Sequence, residues 1–319
     1  MRITLTLAIA FIASLPLPGA EPWADAAWLA AGREATRGME GDAYVSTSFT
    51  IGGGAIRVVL PAGPTPVGRD AVLDWIGSAA TAMTTYHGRF PVEHLLIRIE
   101  TGGTSAIGSG VTYGGRLICI RLGDQCRPVD LERDWVMTHE MIHCSFPDLD
   151  DHHLWMEEGV ATYLEPIVRA RVGDIPAEAV WRDLVHGLPK GQPRAGDRGL
   201  DRTPTWGRTY WGGAGYWLMA DVRIREATAN RRSVDDVLRA VLAAGGDGTA
   251  SWPLERVFDV AAAATGVDIL RQLHAELARE STRFDLDGLW TRLGVLPGRV
   301  LRFDDDAACA TLRRAITGG

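Results

Sequence analysis

Lysine and asparagine are almost absent: Lys190 and Asn230 are the only ones in 319 residues, so nearly all the positive charge is arginine. Those arginines are spread along the chain without clustering, and the formal net charge is −7. A nucleic-acid partner, which needs a basic face, is therefore not expected. Beyond the first residues no apolar run approaches the length of about 20 needed to cross a bilayer. There are only four cysteines, Cys119, Cys126, Cys144 and Cys309. Their spacing matches neither a zinc ribbon nor a C-x-x-C redox pair. The glycine-rich stretch "TGGTSAIGSGVTYGG" lacks G-x-G-x-x-G and the lysine of a P-loop, and it misses the G-x-S-x-G spacing of a hydrolase elbow. Nucleotide binding through those loops and an elbow serine are thereby set aside.

The order of the remaining signals suggests a plan. Residues 1–20 have one positive charge, an apolar run, Pro16 and Pro18, and small residues near Ala20, the pattern of a secretory signal peptide. An exported protein, periplasmic or secreted, is expected. In an oxidising compartment the four cysteines suggest disulfides, with Cys119 and Cys126, flanking "RLGDQ", as the local pair, and free buried thiols are the other reading. Residues 21–42 form a polar lead-in. Residues 43–130 read as a β-sheet lobe with strands at "YVSTSFT", "IRVVL", "HLLIRIE" and "RLICIRL" and a helix at "RDAVLDWIGSAATAMTTYHG", with the glycine-rich stretch as a connection. Residues 131–319 are helical in pattern, starting with "LERDWVMTHEMIHCS" and "HHLWMEEGVATYLEPIVRA". Strands followed by helices give an α+β fold with the two lobes as one unit.

"VMTHEMIHCSF" carries the chemistry. Residues four apart share a helix face, so His139 and His143 project together and can grip one zinc through their imidazoles. Glu140 starts roughly 100° further round, close to a metal without being a ligand. A catalytic zinc needs a third protein ligand and an open position, and Glu158 in "WMEEGVATY" supplies the ligand if the next helix returns antiparallel. Glu157 is the rival carboxylate. Thr162, one turn beyond Glu158, is placed either to hydrogen-bond a ligand or as filler. His152 and His153 read as a solvent-facing pair at a helix start rather than extra metal ligands, and Asp148, Asp150 and Asp151 of "PDLDD" as a solvated turn rather than a calcium site.

"HEMIH" followed by "WMEEGVATY" resembles the H-E-x-x-H…N-E-G-F-x-x-Y arrangement of gluzincin zinc metallopeptidases of the peptidase MA clan, most nearly the alanyl and glycyl aminopeptidase families. The resemblance implies a thermolysin-like catalytic unit with the zinc site between the lobes. It implies one zinc per chain on His139, His143 and Glu158, with Glu140 as base. The glycine after the third ligand matches Gly159 and favours Glu158 over Glu157. "TYWGGAGYWLMADVRIREATANRRSVDDVL" is similar to the helix after Y-x-K-G-A, so Tyr210 falls on the transition-state tyrosine, while Gly212 stands where lysine is common. An aromatic core position is the other reading of Tyr210. The resemblance spans about residues 70–245 and does not include the large β-sandwich domain of those families. It implies peptide-bond hydrolysis of a peptide or protein substrate. The alternative is an inactive exported binding or scaffold protein with the same fold. The alanyl family holds the substrate's free amine with the glutamate of G-x-M-E-N. The matching stretch here is "GVTYG", residues 110–114, with Tyr113 near that position, so relaxed or endopeptidase specificity is favoured.

Overall fold

The computed structural model describes residues 43–318; the expected signal peptide, 1–20, and the expected lead-in, 21–42, lie outside them. A mixed five-stranded sheet comes first. Strands β1 (Tyr44–Ile51) and β2 (Gly54–Pro61) form an antiparallel hairpin. Helix α1 (Arg69–His87) then crosses over to β3 (His94–Thr101), parallel to β2. Strands β4 (Ile107–Tyr113) and β5 (Leu117–Leu122) complete the order β1-β2-β3-β5-β4. Strand β5 is parallel to β3 and antiparallel to β4, which leaves β4 at the edge. Alternation decides what each face does: Ile118, Ile120 and Leu122 turn into one core with Ile56, Val58, Ile97 and the α1 face of Val72, Trp75, Ile76 and Met83.

The sequence reading treats residues 101–115 as a connection, and the structure makes β4 there. Glycine and serine give that stretch no apolar alternation; it is a strand because it pairs with β5, with a register shift between Ile107 and Gly110.

Helices follow. The single helix expected over 131–145 is two, α2 (Pro128–Glu132) and α3 (Val136–His143). Asp134 lies between them, accepting 2.9 Å from the Met137 amide at the start of α3 and 3.1 Å from Trp75 Nε1 on α1. That short polar hinge fastens α3 to the sheet lobe. Next come α4 (Leu154–Arg171), α5 (Ala177–Gly187) and a π-helical turn over Gly207–Gly212 that runs on into α6 (Gly213–Ala227). The remaining α-helices are α7 (Val234–Ala243), α8 (Leu254–Thr265), α9 (Ile269–Leu277), α10 (Leu286–Leu293) and α11 (Ala310–Thr317), with a short antiparallel strand pair, Val295–Leu296 and Arg302–Phe303, before the last. None of these helices is long and apolar enough to cross a membrane.

The expected Cys119–Cys126 bridge is not formed, and all four cysteines are free thiols. Strand alternation explains this. Cys119 shares its β5 face with exposed Arg121, opposite Ile118 and Ile120, whereas Cys126 is buried with the core cluster that includes those isoleucines. Burial is the largest influence on each thiol and holds it protonated, pushing Cys119, Cys126 and Cys309 up and Cys144 furthest.

Candidate metal centre

Helix α3 is buried almost throughout, and its two histidines sit one turn apart with ring centroids separated by 5.1 Å. Helix α4 returns against it and brings Glu158 between them. Glu158 Oε2 lies 3.1 Å from His139 Nε2 and 3.5 Å from His143 Nε2. The three ligand atoms all lie within 4.8 Å of one another. Two imidazole nitrogens and one carboxylate oxygen, converging from two helices, are the type of donor set that catalytic zinc sites use. The charges of the three groups are coupled. Burial pulls His139 down toward its neutral, ligating form. Burial also opposes charge on His143, but the Glu158 carboxylate outweighs it and raises the pKa. Glu158 is partly buried, which alone would raise it, yet its two imidazole partners hold it well below the usual carboxylate range.

A close glycine contact sets the depth of α4. A Cβ on Gly159 would lie 2.5 Å from the Gly213 backbone, and one on Gly213 would lie 2.0 Å from the Trp155 carbonyl. Only two glycines allow α4 and α6 to cross this closely. The crossing puts the π-helical turn, and with it Tyr210, beside the trio. The Tyr210 ring stacks on His139 at 6.1 Å and on Trp206 at 6.0 Å. It is half-buried, unlike Tyr216 and Trp217, which are in the core. Burial, then the Glu158 and Glu140 carboxylates, push its pKa up to about 12, so the phenol keeps its proton at neutral pH.

Glu140 is buried on the side of α3 that meets β4. The Thr112 hydroxyl lies 2.7 Å from Glu140 Oε2 and 2.9 Å from its carbonyl oxygen, within donating distance of both. A Cβ on Gly110 would meet Glu140 Cγ at 2.5 Å, so the strand can come this close only with glycine there. Sequence reasoning missed Thr112; its signal was its place two residues after Gly110 in the stretch compared with G-x-M-E-N.

The other candidates separate cleanly. Glu157 Oε1 accepts a hydrogen bond from the Leu149 amide at 3.1 Å, which ties down the turn between α3 and α4. Thr162 Oγ1 is buried and finds no partner among the described residues, so it supports no ligand. Tyr113 is 56 % exposed and, by strand alternation, points away from the face on which Thr112 meets Glu140. Asp148 accepts from Ser251, distant in sequence, and Asp150 pairs with His152, so both carboxylates of the turn have partners. His152 is exposed as expected, but His153 is not: it is turned inward onto Asp201.

No family model matches the sequence, and no curated protein matches it. Solved structures do match. An aminopeptidase N family protein from Idiomarina loihiensis superposes with a TM-score of 0.62 at 13% identity, over 79% of this chain and 49% of that one. An M1 zinc metallopeptidase from Deinococcus radiodurans matches at 0.49 and 16% identity, over 76% of this chain and 53% of that one. Aminopeptidase A of Legionella pneumophila, in complex with aspartic acid, matches at 0.49 and 15% identity, over 74% and 28%. The chain thus spans about half or less of each of these. The likeness to the first is one of fold: a mixed sheet followed by helices, as in the catalytic unit of that family.

Proposed function

We propose that this chain is a zinc-dependent peptidase. The observation that carries the proposal is the convergence of His139, His143 and Glu158 within 4.8 Å of one another, with Glu140 beside them and Tyr210 stacked on His139. The fold of the aminopeptidase N family protein supports the same reading. When bound, zinc lowers the pKa of a coordinated water from about 16 to about 7 and polarises a carbonyl. Glu140 takes the proton of the attacking water and gives it to the departing amine. Thr112 fixes which oxygen of Glu140 is free, because its hydroxyl occupies Oε2. Tyr210 donates its O–H to the carbonyl oxygen as negative charge builds there. Edge strand β4, which pairs with no strand on its outer side among the described residues, offers backbone groups to an extended peptide.

Glu140→Gln keeps the shape and removes the base. Wild type should cleave a broad peptide library, with the variant slower by at least about a hundredfold. Equal inertness of both proteins would favour the scaffold alternative. We also propose export, on the pattern of residues 1–20; a mature N-terminus that still carries those residues would count against it.

A further inference from the structure

A second cluster has the chemistry of the first. His153 ends the short turn Asp151–His153 before α4, Asp201 lies in the turn Leu200–Arg202, and His274 is on α9. Asp201 Oδ1 is 3.0 Å from His153 Nδ1, and Asp201 Oδ2 is 3.4 Å from His274 Nε2. In the His139–His143–Glu158 trio the corresponding separations are 3.1 and 3.5 Å. Here too one ligand atom from each residue lies within 4.8 Å of the others. We propose that His153, Asp201 and His274 form a second metal site that takes a divalent first-row transition ion such as zinc.

Three observations support it. The Nε2 of His274 is buried and makes no well-aligned hydrogen bond, although it faces the Asp201 carboxylate. A buried ring nitrogen without a well-placed partner costs free energy, and a metal ion taking the place of its proton would remove that cost. Asp201 is fixed from behind: Trp155 Nε1 donates to Oδ1 at 2.9 Å, and the Asp201 amide bonds the Ala278 carbonyl just beyond α9. Such outer contacts orient a ligating carboxylate. Finally, the trio opens on a cavity of about 510 Å³, which leaves space for water or another ligand on the free side of an ion.

The same cavity is lined by Arg202 and Arg279 as well as Glu255, so long-range attraction adds little for a cation here. Affinity would have to come from direct bonds to imidazole. That selects zinc-like ions over calcium or magnesium, which need oxygen donors. The ion would brace the start of the helix bearing Glu158 against the loop that leads to Tyr210 and against α9. It adds a metal to the one per chain that the sequence predicts.

The test is metal counting on the full chain, saturated with zinc and then desalted. Wild type should hold two ions, His143→Ala one, His274→Ala one, and the double variant none. Asp201→Asn serves as an isosteric substitute if His274→Ala does not fold. Zinc should also raise the melting temperature of His143→Ala but not of the double variant. An ion content that neither His274→Ala nor Asp201→Asn lowers, whether wild type holds one ion or two, overturns the site. Two ions on a chain without peptidase activity would uphold this site while sinking the peptidase reading.

Discussion

Tyr210 keeps its phenol proton because it stands between burial and two carboxylates, and that same placement defines what its removal should do. Glu158 and Glu140 both push against a phenolate, and the raised pKa of about 12 makes the hydroxyl a donor across the neutral range. A donor held ready where a carbonyl oxygen gains charge contributes chiefly in the transition state. The ring, stacked on His139 and Trp206, stays in place when only the oxygen is removed. Tyr210→Phe should therefore fold and keep its zinc, with kcat falling about a hundredfold or more, on the order of 3 kcal/mol, and KM changing much less. Steady-state kinetics on one peptide reads this out. An unchanged kcat would return Tyr210 to the role of an aromatic wall.

At the scale of elements, the site depends on how closely backbones approach. The α4–α6 crossing rests on Gly159 and Gly213, and the Gly159 Cβ position is 2.5 Å from main-chain atoms that cannot swing aside. Gly159→Ala should cost about 1–3 kcal/mol of stability through overpacking. It should also push the π-helical turn away from Glu158, lowering kcat more than zinc content. Wild-type melting and wild-type kcat together would show that the crossing has slack. The helical half of this arrangement was legible beforehand, because the four-residue spacing of His139 and His143 is itself a statement about one helix face, and Glu158 followed by Gly159 marks the return helix. Strand β4 was not legible. Its glycines and serines carry no strand pattern, and only contact with Glu140 shows why Gly110 and Thr112 are there. Nor was the grouping of His153, Asp201 and His274, which lie far apart in sequence and meet only once the 188–206 loop folds back onto α9. The disulfide expectation failed for a related reason: closeness in sequence between Cys119 and Cys126 said nothing about opposite faces of a sheet.

The whole molecule bears on which peptides it would cut. An aminopeptidase needs an acid to pair with the substrate's ammonium group. Tyr113, which stands near the glutamate position of the alanyl family, points away from Thr112 and Glu140, and Glu157, the acid next to Glu158 in sequence, is engaged by the Leu149 amide. What borders the trio instead is apolar and open. Trp135, 52 % exposed, meets His139 edge-on at 5.3 Å, and Trp206, 60 % exposed, stacks on Tyr210. Two exposed indoles beside a zinc-type donor set favour burial of large side chains near the scissile bond over capture of a terminal charge. A lost hydrogen bond to a charged group would cost about 1.5–3 kcal/mol, more than tenfold in kcat/KM. Without such an anchor, acetylating the N-terminus of a peptide with aromatic residues should change kcat/KM by less than about threefold. The comparison needs one peptide in two forms, assayed side by side. A fall of tenfold or more on acetylation would show that the free amine is recognised, by an acid that neither Tyr113 nor Glu157 supplies.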